Sequence, residues 1–149
     1  MSDDEIVREI ELKAGVDKVW EALVDAQKFG QWFRCDVQGE FRVGQVNDCR
    51  STYDDQQTII WQKLIKAIEP KTYFAFAWSP GDTGADILDD EVGQTLVEFH
   101  LKPAAQGSHL TIRETGFASL PEAYRSESMR LNTEGWNAQV VNIQAYCDA

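Results

Sequence analysis

The sequence predicts an α+β fold: a curved antiparallel sheet wrapped around one long C-terminal helix. Three observations predict it. Apolar residues recur with a two-residue period from Phe41 to Pro80 and again from Thr95 to Phe117. They recur with a helical period before the first stretch and after the second. One hairpin can be read residue by residue. Strands and helices segregated along a chain in this way indicate α+β rather than alternating α/β architecture.

Each element follows in order. Ile6 to Leu12 alternates as a strand, with Ile6, Arg8, Ile10 and Leu12 on one side and Val7, Glu9 and Glu11 on the other. In VDKVWEALVDA, Val16, Val19, Trp20, Leu23 and Val24 share one helical face, and Lys18, Glu21 and Asp25 take the other. A shorter second helix holds Phe29, Trp32 and Phe33, with Gly30 as its weak point. GEFRVGQVNDCR and TIIWQKLIKAIEP read as strands, with Asp54 and Asp55 near the turn between them. TYFAFAWSP is the clearest strand, Phe74, Phe76 and Trp78 against Tyr73, Ala75 and Ala77, bounded by Pro70 and Pro80. The acidic stretch from Gly81 to Gly93 reads as a long loop, in the position of a mobile flap.

The hairpin comes next. A turn centred between Ala105 and Gln106 sets Leu101 opposite Leu110, Phe99 opposite Ile112 and Val97 opposite Glu114. On its other face Glu98 meets Arg113, His100 meets Thr111 and Lys102 meets His109. One face is apolar and one polar, as a half-buried antiparallel sheet requires. The last helix opens on Ser119-x-x-Glu122, the pattern of a capping box with Pro121 in its first turn. Met129, Trp136, Val140, Ile143 and Cys147 then recur at helical spacing, and Gly135 suggests close approach of another element.

The chain of 149 residues is of single-domain length, residues 1–149 forming one unit. Its net charge of −11 disfavours nucleic acid, whose affinity comes largely from neutralising phosphates, and anionic membranes. No apolar run approaches the roughly 18 residues needed to span a bilayer. Cys35, Cys49 and Cys147 are widely spaced and odd in number, which favours a reducing compartment over a disulfide framework. The acidic start, MSDDEIVREI, lacks the basic and apolar regions of a signal peptide, so a cytoplasmic location is expected. Five Trp in so acidic a chain remain to be explained.

VWEAL at 19–23, QWF at 31–33, FAW at 76–78, GSHLTIRETGF at 107–117 and GW at 135–136 together resemble the START-like (SRPBCC) superfamily. Within it they look most like the family named for homologues of the activator of a heat-shock-protein ATPase. The likeness covers nearly the whole chain in the right order. It implies a helix-grip (Bet v-like) fold, with about seven strands gripping the C-terminal helix and a cavity between them. It also implies a heat-shock ATPase as a possible protein partner. The sequence departs from the family's pattern at Val43-Gly44, where a paired Gly is common, and at Glu114, near which many members carry His.

With that fold in view, Trp20, Trp32, Phe74, Phe76, Trp78, Val97, Phe99, Ile112, Met129, Trp136 and Val140 all turn inward. They are expected to form either an ordinary core or the wall of a cavity for a small apolar or aromatic molecule. The parity of Leu110, Ile112 and Glu114 puts a carboxylate on that apolar face, where it must be paired, hydrated or protonated unless the strand bulges. Glu114 is thus a candidate polar anchor and, more weakly, a candidate acid/base group. A cyclase-like enzyme of the superfamily would add Tyr124 or Arg130 to it. His100 and His109 fall on the outward face, and no HExxH, calcium-loop or phosphate-loop motif calls for a metal or other cofactor. The reading the residues favour is non-enzymatic binding of a small apolar ligand.

Overall fold

The structure, a computed structural model, describes residues 4–52, 58–78 and 93–149, with the backbone alone at 51, 52 and 58–61. Seven strands make one antiparallel sheet: β1 (Glu5–Leu12), β2 (Asp36–Val37), β3 (Val46–Thr52), β4 (Thr58–Glu69), β5 (Tyr73–Trp78), β6 (Thr95–Ala104) and β7 (Gly107–Thr115). The order across it is β1-β7-β6-β5-β4-β3-β2. The six later strands therefore follow one another as a meander, and β1 closes the edge beside β7. Helices α1 (Val16–Val24) and α2 (Ala26–Phe33) fill the link between β1 and β2. The long helix α3 (Glu122–Cys147) lies in the curl of the sheet, with Trp136, Ile143 and Cys147 buried against it. This is the helix-grip architecture.

The hairpin pairs as its alternation requires: Leu101 with Leu110, Phe99 with Ile112, Val97 with Glu114, and Glu98 with Arg113. On β7, Ser108, Leu110, Ile112 and Glu114 are buried and the intervening residues are not. The two short helices are separated by Asp25, whose Oδ1 accepts from the backbone N–H groups of Gln27 and Lys28 at 3.0 Å and so caps α2. At its other end Arg34 adopts a left-handed conformation, φ 66°. The N–H groups of Arg34 and Cys35 both donate to the Gly30 carbonyl, at 2.8 and 3.0 Å.

Three local expectations are corrected. Gly30 is not a weak point: a Cβ there would meet the Cys35 carbonyl oxygen at 2.5 Å, so the tight end of α2 requires glycine. The close approach expected at Gly135 is absent, nothing lying within 4 Å of a Cβ there. The capping box does not form. Pro121 is the N-cap and no side chain caps α3. Ser119 sits instead in a short 3-10 turn, Phe117–Ser119, where its hydroxyl donates to Gln94 O at 3.0 Å and Gly116 O at 2.7 Å.

The strand read from Gly39 begins only at Val46, because Gln45 N–H closes a turn onto Arg42 O at 3.0 Å. The turn at Asp54 and Asp55, and the acidic flap apart from Gly93, lie outside the described residues. Among those described, no helix is long and apolar enough to cross a membrane.

Candidate functional site

The concave face of the sheet carries two buried charges. Glu114, on β7, has no exposed surface. Its Oε2 accepts from Trp78 Nε1 at 2.7 Å and from Thr95 Oγ1 at 2.5 Å. Its Oε1 accepts from Trp136 Nε1 at 2.8 Å, and Asn132 Nδ2 reaches both oxygens at 3.0 Å. These four donors come from β5, β6 and α3, so one carboxylate clasps three elements. All four are donors, and the carboxylate serves purely as an acceptor. The strand neither bulges nor ends at this residue.

The second charge escaped the sequence reading. Lys63, on β4, is also fully buried. Its Nζ lies 3.4 Å from the centroid of the Phe29 ring, 4.4 Å from Phe76 and 4.7 Å from Phe33. Phe41 and Trp78 follow at 5.8 and 5.9 Å. The ammonium thus occupies the middle of the aromatic interior. Ring faces attract a cation, by about 2 kcal/mol or more when desolvated. Burial itself still disfavours the charge and pulls the Lys63 amine down to about 8, against the opposing pull of Cys49 and Cys35.

Two thiols adjoin the lysine. Cys49 on β3 is buried and pairs in register with Val37, while Asn47, two residues earlier, pairs with Lys63. Cys35, half-buried just before β2, is hydrogen-bonded to Cys49. That bond lowers the Cys49 thiol and, with burial, raises that of Cys35, and the nearby Lys63 lowers both. Asn47 is buried too. Its Nδ2 donates to Gln38 O at 2.9 Å and Glu40 O at 3.1 Å, and its Oδ1 has no partner among the described residues. Both acceptors of Nδ2 are carbonyls, so turning the amide over would satisfy nothing.

A pocket of about 450 Å³ opens between the end of α2 and strands β2 and β3. Gln27, Gln31, Arg34, Asp36 and Arg50 line it, and Cys35 forms part of its wall. None of the residues named from the sequence lines this pocket. Of those, Trp32, Phe74, Phe76, Val97, Phe99, Ile112 and Trp136 are buried in the core, and Trp20, Trp78, Met129 and Val140 are packed against it. Their rings interlock around Phe29, whose centroid is 4.8 Å from Trp32, 5.6 Å from Phe41 and 6.2 Å from Phe76.

The remaining candidates lie elsewhere. Tyr124 is 45% exposed, and Arg130 is held by Glu127 and Glu134 on the outer face of α3. His109 stands on the outward face, where Glu9 and Glu11 of β1 flank it. Hydrogen bonding to Glu11 raises its imidazole above the usual range, with Glu9 adding to it. Among the described residues no group of three His, Cys, Asp or Glu side chains could hold a metal ion.

The family model described as "Activator of Hsp90 ATPase homolog 1-like protein" matches residues 13–148. The chain belongs to that family. A comparison with curated proteins finds no match. Among solved structures, a Chromobacterium violaceum protein is 19% identical, with 99% of each chain covered and a TM-score of 0.77. A Mesorhizobium loti protein is 18% identical over 97% of this chain and 96% of that one, with a TM-score of 0.75.

DynU16, a protein of the dynemicin biosynthetic locus, is 24% identical over 97% of this chain, with a TM-score of 0.70, and this chain spans 47% of it. These likenesses establish the shared fold. In this member the chemistry of the interior is set by Glu114 and Lys63.

Proposed function

We propose that this protein binds a small ligand with an apolar or aromatic body in the interior between sheet and C-terminal helix, without transforming it. We further propose that the ligand carries an acidic head that pairs with Lys63. The observation that carries this reading is the completely buried Lys63 ammonium set among five aromatic rings. A fold seeking only stability would gain by replacing a buried charge with an apolar side chain of like volume. An anionic head matches the charge of this ammonium, and the rings suit the ligand's apolar or aromatic body. Asn47 Oδ1, a buried acceptor in register with Lys63, offers the same ligand a site for a donor group.

The twelve residues singled out from the sequence remain the proposed wall, with Glu114 as its clasp rather than its anchor. That carboxylate's acceptor positions are engaged by four donors, which supports binding over acid/base catalysis.

The test is a titration of the full chain, read by Trp fluorescence, with aryl and alkyl carboxylates and with their amides. Binding of a carboxylate tenfold or more above its amide is expected, which corresponds to about 1.4 kcal/mol. Lys63→Met should abolish the preference. Indifference of the wild-type fluorescence to both series, or an equal response to acid and amide, would overturn the reading.

A further inference from the structure

The pocket beside α2 and the two thiols behind it have a chemistry of their own, independent of any ligand in the aromatic interior. We propose that Cys35 and Cys49 form a thiol–disulfide exchange site for small anionic disulfides of peptide character, with Cys35 as the attacking thiol and Cys49 as the resolving one. Three structural features meet here. Cys35 is half-buried and forms part of the wall of an open pocket of about 450 Å³, whereas Cys49 has no exposed surface. The thiols are neighbours: Cys49 is opposite Val37 across β2 and β3, Cys35 is two residues before Val37, and the two side chains are hydrogen-bonded. The pocket is cationic in an otherwise acidic chain. Arg34 and Arg50 stand against the single carboxylate of Asp36, which already accepts from Gln38 Nε2 at 3.0 Å.

Each part suits the chemistry. Guanidinium groups match carboxylates, and the carboxamides of Gln27 and Gln31 can donate to and accept from peptide groups. Diagonal neighbours on adjacent strands have Cα atoms roughly 7–8 Å apart, slightly beyond the reach of a relaxed disulfide. Cys35 stands in a bend just before β2, so closing the bond requires a small backbone approach there. The bond to Cys49 and burial raise the Cys35 thiol, and Lys63 opposes that rise.

The exchange balances in two steps. Both thiols begin protonated. Cys35 releases its proton to solvent, and its sulfur attacks one sulfur of the incoming disulfide RS–SR. A Cys35–SR bond forms, the RS–SR bond breaks and RS⁻ leaves. That thiolate takes the proton from Cys49 to become RSH. Cys49 then attacks the Cys35 sulfur, the internal disulfide forms and the second RS⁻ departs. The two protein thiols are oxidised and one small disulfide is reduced to two thiol equivalents. Oxidation also removes the two thiols that pull the Lys63 amine upward, which ties the redox state of this site to the charge in the interior.

The reduced full chain is incubated with glutathione disulfide or with the neutral hydroxyethyl disulfide and followed by intact mass and peptide mapping. The wild type should lose two hydrogens through a Cys35–Cys49 bond. Cys49→Ala should stop at a mixed disulfide on Cys35, and Cys35→Ser should form neither. Cys147 is the internal control, buried and outside the pocket lining. Arg50→Gln, a change at an exposed residue, should slow the glutathione reaction by about tenfold and leave the hydroxyethyl reaction unchanged. Two results would overturn the proposal: modification of Cys35 no faster than that of Cys147, or a mixed disulfide that persists in the wild type. A reaction equally fast with both disulfides and insensitive to Arg50→Gln would overturn the anionic specificity.

Discussion

At one end of the interior Glu114 accepts from Trp78, Thr95, Asn132 and Trp136; at the other Lys63 is enclosed by Phe29, Phe33, Phe41, Phe76 and Trp78. Both side chains are fully buried on the same apolar face of the sheet. The carboxylate is surrounded by directional donors from three elements, which makes it a joint in the fold. The ammonium lies among ring faces, which attract it without fixing its direction.

The largest expected effect is at the clasp. Glu114→Leu leaves four donors, two of them indole N–H groups, facing an apolar side chain. Removing the acceptor side of a buried charged network costs about 3–5 kcal/mol. The urea midpoint should fall accordingly with the slope unchanged. A loss below about 1 kcal/mol would break the comparison, because Glu114 would then hold nothing together.

Lys63→Met should act in the opposite direction. At pH 7 the native state bears a buried ammonium, and methionine fills a similar volume at no cost in hydration. Stability should rise by about 1–3 kcal/mol. The pH dependence follows from the folded value of about 8 against 10.5 for the free side chain. Below about pH 8 both states hold the proton and the native state bears the full penalty. Between about 8 and 10.5 the unfolded chain holds a proton that the native state has released, so stability rises with pH. The rise amounts to roughly 3 kcal/mol by the linkage relation. Subtracting the Lys63→Met profile from the wild-type one isolates this group from the other residues that titrate in alkali. A flat difference curve would mean that the cage stabilises the ammonium as well as water does.

The contrast also shows what could be read from the sequence. The hairpin register and the inward place of Glu114 followed from alternation alone, since one face of β6 and β7 is apolar and the other polar. For Lys63 alternation is not decisive, because in β4 both Ile59, Trp61, Lys63, Ile65 and Ile60, Gln62, Leu64, Lys66 mix apolar residues with a lysine. Lys63 was hidden because lysine is among the residues least often buried, so a lysine in a strand reads as outward by default.

Tertiary contacts hid the rest. Ser119 has the right neighbours for a capping box, yet the 3-10 turn gives its hydroxyl two carbonyls to bond instead. Gly30 looks like a defect in a helix until the Cys35 carbonyl is in place against it. The Cys35–Cys49 pair needs the β2–β3 register, and a strand of two residues has no period to detect.

Trp78 belongs to both ends, and the smallest of these effects is expected there. Its Nε1 donates to Glu114 at 2.7 Å, and its ring lies 5.9 Å from Lys63 Nζ. Trp78→Phe keeps an aromatic face toward the amine and removes one of the four donors from the carboxylate. The loss should be about 2 kcal/mol, from one hydrogen bond to a charged group plus some lost volume. The alkaline rise in stability should keep the wild-type size, because the rings closest to the amine, Phe29 and Phe76, are untouched. Urea midpoints of wild type and Trp78→Phe at pH 7 and pH 10 measure both quantities at once. If the midpoint falls and the rise stays constant, the two ends are energetically separate and the interior holds two sites. If the rise shrinks with the loss of the indole N–H, the charges are coupled through Trp78. A ligand acid paired with Lys63 would then also be felt at the clasp on α3.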